Sequence, residues 1–149
     1  MLTFLPRTRP RLPALLLVLV VGFLLVNKVH SPQYAIWLIP LVVLAYPRWF
    51  TFLLWQISEV LLTILRYLYF LHLSDPKRGV PQGGFEAAVV FRDAILLIIV
   101  GLVIRGMFNP KYDPVRRTGV DDPAGGVFNG APDSETARSD ASAPESVRV

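Results

Sequence analysis

Apolar and polar positions are arranged in long blocks along this chain, and the blocks predict membrane helices. Apolar residues dominate four stretches, at about 12–29, 32–46, 49–73 and 85–108. The connectors between them are short, and the one before the last stretch, SDPKRGVPQGG, is rich in proline and glycine. Runs of about 20 apolar residues are typical of helices that cross a ~30 Å hydrocarbon core. The pattern therefore predicts an all-α integral membrane protein with four transmembrane helices.

The first apolar stretch resembles a signal peptide, because three arginines precede it. Its apolar core, however, continues into Asn27 and Lys28 without a small-residue cleavage site, and a further apolar stretch follows at once. An uncleaved helix is therefore expected. The second stretch begins at Ser31-Pro32, a serine N-cap followed by proline. At about 1.5 Å per residue it covers only ~22 Å, so it is expected to be kinked at Pro40, bordered by its aromatic residues, or partly re-entrant.

Basic residues are distributed unevenly between the two ends of the predicted spans. If the N-terminus is inside, the outer side carries only Lys28, Lys77 and Arg78. The inner side carries a larger set: Arg7, Arg9, Arg11, Arg48, Arg105, Lys111, Arg116 and Arg117. The positive-inside rule then predicts a multi-pass protein of the cytoplasmic membrane with both termini inside. Residues 1–11 would form a basic cytoplasmic N-terminus and residues 12–108 the membrane domain.

Residues 109–149 have a different composition from the rest of the chain. The stretch DDPAGGVFNGAPDSETARSDASAPESVRV has few large apolar side chains and many Gly, Pro, Ser, Ala and Asp residues. Such a segment buries too little apolar surface to offset the entropy of ordering it. A disordered cytoplasmic tail is therefore predicted from residue 109 onward.

The composition also argues against several classes of function. The chain has no cysteine, and its two histidines, His30 and His72, lie far apart, so no metal site is predicted. It contains neither a P-loop nor a G-x-G-x-x-G motif, and no cofactor is expected. The net charge of +4 comes from basic residues that flank the apolar stretches, which favours membrane orientation over nucleic-acid binding.

Four ionisable residues lie within the apolar stretches: Glu59, Arg66, Arg92 and Asp93. Charges at such positions usually face the interior of a helix bundle or a wet cavity. Gln56, Glu59, Thr63 and Arg66 share one helical face at about 100° per residue. Arg66 and Asp93 would both lie about 10–12 Å below the outer surface, which predicts that they meet across the helix pair, with Arg92 nearby. The cluster either fixes packing or forms the wall of a functional cavity.

A second polar group lies in the connector NKVHSPQ, at the outer end of the first two spans. Lys28, His30 and Gln33 would bring cations and hydrogen-bond donors to the membrane interface, an arrangement that suits a lipid phosphate. The alternative is ordinary interface anchoring, in which long side chains reach toward water. The residues alone leave both interpretations open. For Lys77 and Arg78, anchoring is the preferred interpretation.

The segment NKVHSPQYAIWLIPL resembles the K-V-x-S-P-Q-Y-x-x-W-L-x-P-L segment near the C-terminal end of glycosyltransferase family 87. That family consists of multi-spanning actinobacterial membrane enzymes of the GT-C type. LLWQISEVL, FRDAILLIIVGLVIRGMFNP and DPVRRTGVDDPAGGVFNGAPD resemble one branch of the family as well. The resemblance extends over nearly the whole chain from about residue 14.

The resemblance implies mannosyl or hexosyl transfer from a polyprenyl-phosphate-linked sugar on the outer face of the cytoplasmic membrane. Lys28, His30 and Gln33 would then help to hold the donor phosphate. An aspartate in the first outer loop of such enzymes is the general base, but NKVHSPQ contains no carboxylate, and Asp75 matches no catalytic position.

No catalytic residue is therefore assigned, and independent catalysis is not expected. The chain would be a truncated or mis-started product, or be completed by an N-terminal membrane chain. The alternatives are a small non-catalytic membrane scaffold that binds a partner and a minimal transporter.

Overall fold

The computed structural model describes residues 9–27 and 33–129, and over these ranges the chain is helical, without a β-strand. Four α-helices follow one another: α1 (Leu12–Val26), α2 (Gln33–Ala45), α3 (Trp49–Ser74) and α4 (Gln82–Phe108). Three short 3₁₀ turns follow, at Pro110–Tyr112, Arg116–Thr118 and Gly126–Phe128. The all-α prediction is confirmed for this part of the chain. Ser31 and Pro32, predicted to start α2, lie outside it, as do residues 1–8 and 130–149.

Among the helices of residues 9–27 and 33–129, α3 and α4 are long and apolar enough to cross a membrane. With 26 and 27 residues they extend about 40 Å each at ~1.5 Å per residue. Helix α1, with 15 residues, and α2, with 13, are apolar but shorter than a full span. A membrane crossing by α1 and α2 therefore stays a prediction. Pro40 does lie inside α2, as expected.

The four helices run alternately up and down, so that two ends of the bundle are distinct. At one end, called the tail end below, α1 and α3 begin, α2 and α4 finish, and residues 109–129 follow. At the other, the loop end, α3 is joined to α4. There Tyr69 stacks on Phe85 with ring centroids 5.4 Å apart. Gly79 in the joining loop has φ +83°, and a Cβ at this position would collide with the carbonyl oxygen of Leu68.

Helix α4 lies at the centre of the core. Its buried residues recur three or four positions apart, and they pack against both α3 and α1, while α2 packs mainly against α1. The apolar core side chains include Leu17 and Val21 of α1, Leu38 and Val42 of α2, Trp55 of α3, and Leu96 and Ile99 of α4. By contrast, α3 leaves most of its apolar side chains exposed. The bundle therefore has one well-packed side and one open apolar side.

The structure differs from the predicted disorder over residues 109–129. Asn109, Asp113 and Asp122 each precede a proline and start a turn, and the two carboxylates among them are buried against the start of α1. Gly106 of α4 lies directly against this segment, since a Cβ there would be in van der Waals contact, 3.4 Å from the Cα of Asp113. Buried hydrogen bonds and ion pairs thus replace the apolar surface that this segment lacks. The remaining predicted tail, residues 130–149, is not part of the described structure.

Candidate functional site

A charged cluster lies between α3 and α4, near the middle of both helices. The Nε of Arg92 donates to Oε1 of Glu59 at 2.7 Å, and its NH1 donates to Oδ1 of Asp93 at 2.9 Å. The Arg92 side chain is 7% exposed, compared with 13% for Glu59 and 24% for Asp93. A guanidinium between two carboxylates satisfies charge where water is scarce, so this ion pair joins the two longest helices.

Neighbouring side chains on α3 hold Glu59 in place. Trp55, one turn earlier and fully buried, donates its indole N–H to the same Oε1 atom at 3.0 Å. Thr63, one turn later, donates its hydroxyl to the Glu59 carbonyl at 2.8 Å, and Ser58 does the same to the Trp55 carbonyl at 2.6 Å. Because Oε1 accepts from an indole and a guanidinium together, the carboxylate is fixed in orientation rather than free to swing.

The cluster opens sideways into a largely apolar groove between α2 and α3. The groove has a volume of about 210 Å³ and is lined by Ala35, Glu59, Val60, Thr63 and Ile64. In the helical turn before Glu59, the Nε2 atom of Gln56 is buried without a hydrogen-bond partner among the described residues. A buried amide donor without a partner is costly in an apolar environment. We call this feature the α2–α3 groove.

Three of the four ionisable residues predicted from the apolar stretches come together in this cluster. Arg66 is half-buried on α3, and the expected Arg66–Asp93 pair is not among the ion pairs within residues 9–27 and 33–129. The reason is proximity along the chain, since Arg92 is adjacent to Asp93 on α4. It reaches that carboxylate and Glu59 together. The partner of Glu59 was thus a residue that the depth comparison had placed only nearby.

The predicted donor-phosphate residues are only partly described. Lys28 and His30 lie outside the described residues, and Gln33 is the first, exposed residue of α2 at the loop end. Their role in holding a lipid phosphate stays a prediction. Within the described ranges, no three His, Asp or Glu side chains come close enough together to hold a metal ion. The ionisable groups between α3 and α4 pair charge and orient one another, and none of them is assigned a catalytic step.

A second charged network, at the tail end, was missed by the sequence analysis. Arg11 is 3% exposed. It forms a bidentate ion pair with Asp113, in which Nε donates to Oδ2 at 2.7 Å and NH2 donates to Oδ1 at 3.0 Å. The same guanidinium donates to the carbonyl oxygens of Leu44 and Ala45 at 3.0 and 2.6 Å. One side chain thus joins the start of α1, the end of α2 and the chain after α4.

Further pairs strengthen the tail-end network. Asp122, 2% exposed, accepts the backbone N–H of Leu12 at 2.9 Å and so caps α1 from more than 100 residues away. Asp121 pairs with Arg116 at 2.8 Å and with Arg9 at 3.4 Å. The signal for this network was present in the two Asp-Pro dipeptides of the tail, which are typical turn formers. Sequence alone could not assign them partners in the N-terminal part of the chain.

Comparison of the sequence with protein-family models, curated proteins and solved structures found no significant match.

Proposed function

We propose that this chain is an integral membrane protein that forms the donor-binding C-terminal portion of a polyprenyl-phosphate-sugar-dependent glycosyltransferase. The transfer would be of a mannosyl or other hexosyl group on the outer face of the cytoplasmic membrane. Two helices of membrane-spanning length support the location. Both termini lie inside in this proposal, which places the loop end and the residues Lys28, His30 and Gln33 at the outer surface.

The α2–α3 groove is the observation that carries the proposal. It exposes Glu59 and Thr63 on the side of the bundle where α3 also leaves apolar side chains uncovered. A membrane protein that ended at this surface would leave a paired but partly exposed carboxylate beside lipid tails, which is unfavourable. Further membrane helices packed on α3 would cover the groove and remove that cost. The chain would then function as one part of a larger membrane enzyme, as the resemblance to glycosyltransferase family 87 implies.

The division of tasks follows from the residues that the chain has. Lys28, His30 and Gln33 would bind the donor phosphate through charge and hydrogen-bond donors. The general base would come from the complementing membrane chain, since NKVHSPQ contains no carboxylate and Glu59 is held by Arg92 and Trp55. Without the complementing chain, this protein would therefore bind the lipid-linked donor but would not transfer its sugar.

A non-catalytic membrane scaffold is the second candidate, and the open apolar side of α3 is the observation that favours it. Such a protein would use α3 to bind a partner and would have no reason to recognise a polyprenyl phosphate. Donor-lipid binding by the purified chain therefore separates the two functions.

The experiment measures polyprenyl-phosphate binding to the purified chain in detergent by native mass spectrometry. We expect polyprenyl phosphate to bind, with roughly tenfold weaker binding for each of Lys28→Gln and His30→Gln, because each loses a charge-assisted contact with phosphate. Lys77→Gln is the matched control, because Lys77 is an exposed cation of the other connector at the loop end. If Lys77→Gln weakened polyprenyl-phosphate binding equally, binding would depend only on the overall positive charge, and the proposed donor site would be wrong.

A further inference from the structure

Three arginines at the tail end face one cavity, and none of them has a carboxylate partner within the described chain. The cavity, about 210 Å³ in volume, is lined by Tyr46, Arg48, Leu102, Arg105, Tyr112 and Arg117. The other tail-end arginines of the described ranges, Arg9, Arg11 and Arg116, each pair with an aspartate. Asp113 and Asp121 of the described tail are thus paired with a different set of arginines. We call this cavity the arginine cavity.

Stacking on tyrosine rings positions two of the three guanidinium groups. Arg105 lies over the ring of Tyr112, 3.8 Å from its centroid, and Arg48 lies over Tyr46 at 5.5 Å. A stacked guanidinium keeps its N–H edge available, and that edge matches the oxygens of a phosphate in a two-pronged geometry. The arrangement therefore presents oriented donors and positive charge to an anion.

An apolar groove adjoins the arginine cavity. It has a volume of about 300 Å³, is lined by Val43, Tyr46, Pro47, Arg48, Trp49 and Phe52, and shares Tyr46 and Arg48 with the cavity. Trp49 is 78% exposed at the first turn of α3, a position typical of the interfacial zone of a membrane. A cationic cavity that continues into an apolar groove matches a molecule with an anionic head and a hydrocarbon chain.

We propose that the tail end binds one anionic phospholipid, with its phosphate in the arginine cavity and an acyl chain in the adjoining apolar groove. The lipid would belong to the leaflet opposite the proposed donor site, so the two lipid sites are separate. The proposal shares the membrane location with the proposed function but does not depend on sugar transfer. Arg117 follows α4 in the described tail, so a bound lipid would also hold that segment against the bundle.

The test uses the full chain purified in dodecyl maltoside, with dioleoyl phosphatidylglycerol as the probe and dioleoyl phosphatidylcholine as the neutral lipid. We expect one phosphatidylglycerol per chain by native mass spectrometry, at least roughly tenfold preferred over phosphatidylcholine. Arg48→Gln, Arg105→Gln and Arg117→Gln should each weaken binding about tenfold. Arg78→Gln is the matched control, because Arg78 is an exposed arginine at the loop end. The affinity of this variant for phosphatidylglycerol should equal that of the wild type.

Several results would overturn the proposal. Equal affinity for the two lipids would show that the protein does not recognise the charge of the head group. Unchanged affinity of the Arg117→Gln variant for phosphatidylglycerol would show that the arginine cavity is not part of the binding site. Arg117 is exposed and lies after α4, so its replacement leaves the bundle core intact even where Arg48→Gln or Arg105→Gln fails to fold. Inorganic phosphate that displaces the lipid at equal concentration would indicate a free-anion site instead. Carbonate extraction of native membranes tests the membrane location independently.

Discussion

Replacing Asp113 with asparagine tests whether a buried ion pair holds the tail against the bundle. The side chains of Arg11 and Asp113 are 2% and 9% exposed, and two hydrogen bonds of 2.7 and 3.0 Å join them. In the wild type, the backbone N–H of Val115 donates to Oδ1 of Asp113 at 3.0 Å. Asparagine keeps a side-chain oxygen that can accept this hydrogen bond, so the local turn survives and mainly the charge is lost. The change therefore isolates the ion pair.

The expected magnitude follows from burial. Removing one partner of a buried ion pair costs about 3–5 kcal/mol, because the remaining charge stays in a low-dielectric site. The two backbone carbonyls on Arg11 soften this cost, so we expect the lower end, about 3 kcal/mol or ~10²-fold in the opening equilibrium. Asp121→Asn is the matched control. Its carboxylate is 37% exposed, and such pairs contribute about 0–1 kcal/mol.

Hydrogen–deuterium exchange of the full chain in detergent measures this effect. Amides of residues 109–129 should exchange about 10²-fold faster in Asp113→Asn than in the wild type, while Asp121→Asn changes them by less than about fivefold. The double variant Arg11→Met with Asp113→Asn should recover part of the protection, because it leaves no unpaired charge and keeps the acceptor for the Val115 N–H. Equal exchange in the two single variants would refute the reasoning, since burial would then not determine the cost.

Three further changes test other contacts. Arg92→Met should lower the free energy of unfolding by about 3–5 kcal/mol, because it leaves two carboxylates between α3 and α4, and thermal unfolding in detergent measures it; a change below ~1 kcal/mol would contradict the ion pair. Trp55→Phe should cost about 1–2 kcal/mol in the same assay through loss of the hydrogen bond to Glu59, and no loss would contradict that bond. Gly79→Ala should cost about 1–3 kcal/mol, because φ +83° suits glycine, whereas Gly83→Ala, in open space with no such φ, should be neutral or stabilising.

The sequence predicted the helices well, because helix formation depends on features that sequence shows directly. Apolar blocks and turn residues placed both ends of α3 within one residue, whereas α4 began three residues earlier than predicted, directly after Pro81. The shared face of Gln56, Glu59 and Thr63 also corresponds to real proximity on α3. These are local features, determined by spacing along one helix.

Pairing between distant segments was predicted less well. From sequence alone, Arg11 is expected to be only an orientation charge and Asp113 to belong to a disordered tail. In the structure the two side chains, 102 residues apart in sequence, are hydrogen-bonded. Composition indicates whether a segment can fold in isolation. Residues 109–129 are ordered by contacts with α1 and α2, which composition does not show. In the same way, comparing depths along the two helices predicted that Arg66 pairs with Asp93, but it could not show that Arg92 is the arginine that pairs with this carboxylate. Tertiary contacts of this kind require the fold.

The most direct test of the proposed function is the lipid and glycan profile of cells that lack this chain. If the chain is part of a polyprenyl-phosphate-sugar-dependent glycosyltransferase, deletion should remove at least one hexosylated lipid or polysaccharide and cause the lipid-linked sugar to accumulate. Mass spectrometry of envelope lipids measures both. The wild-type chain should restore the profile, and a Lys28→Gln, His30→Gln double variant should not. An unchanged profile in the deletion strain would contradict the account.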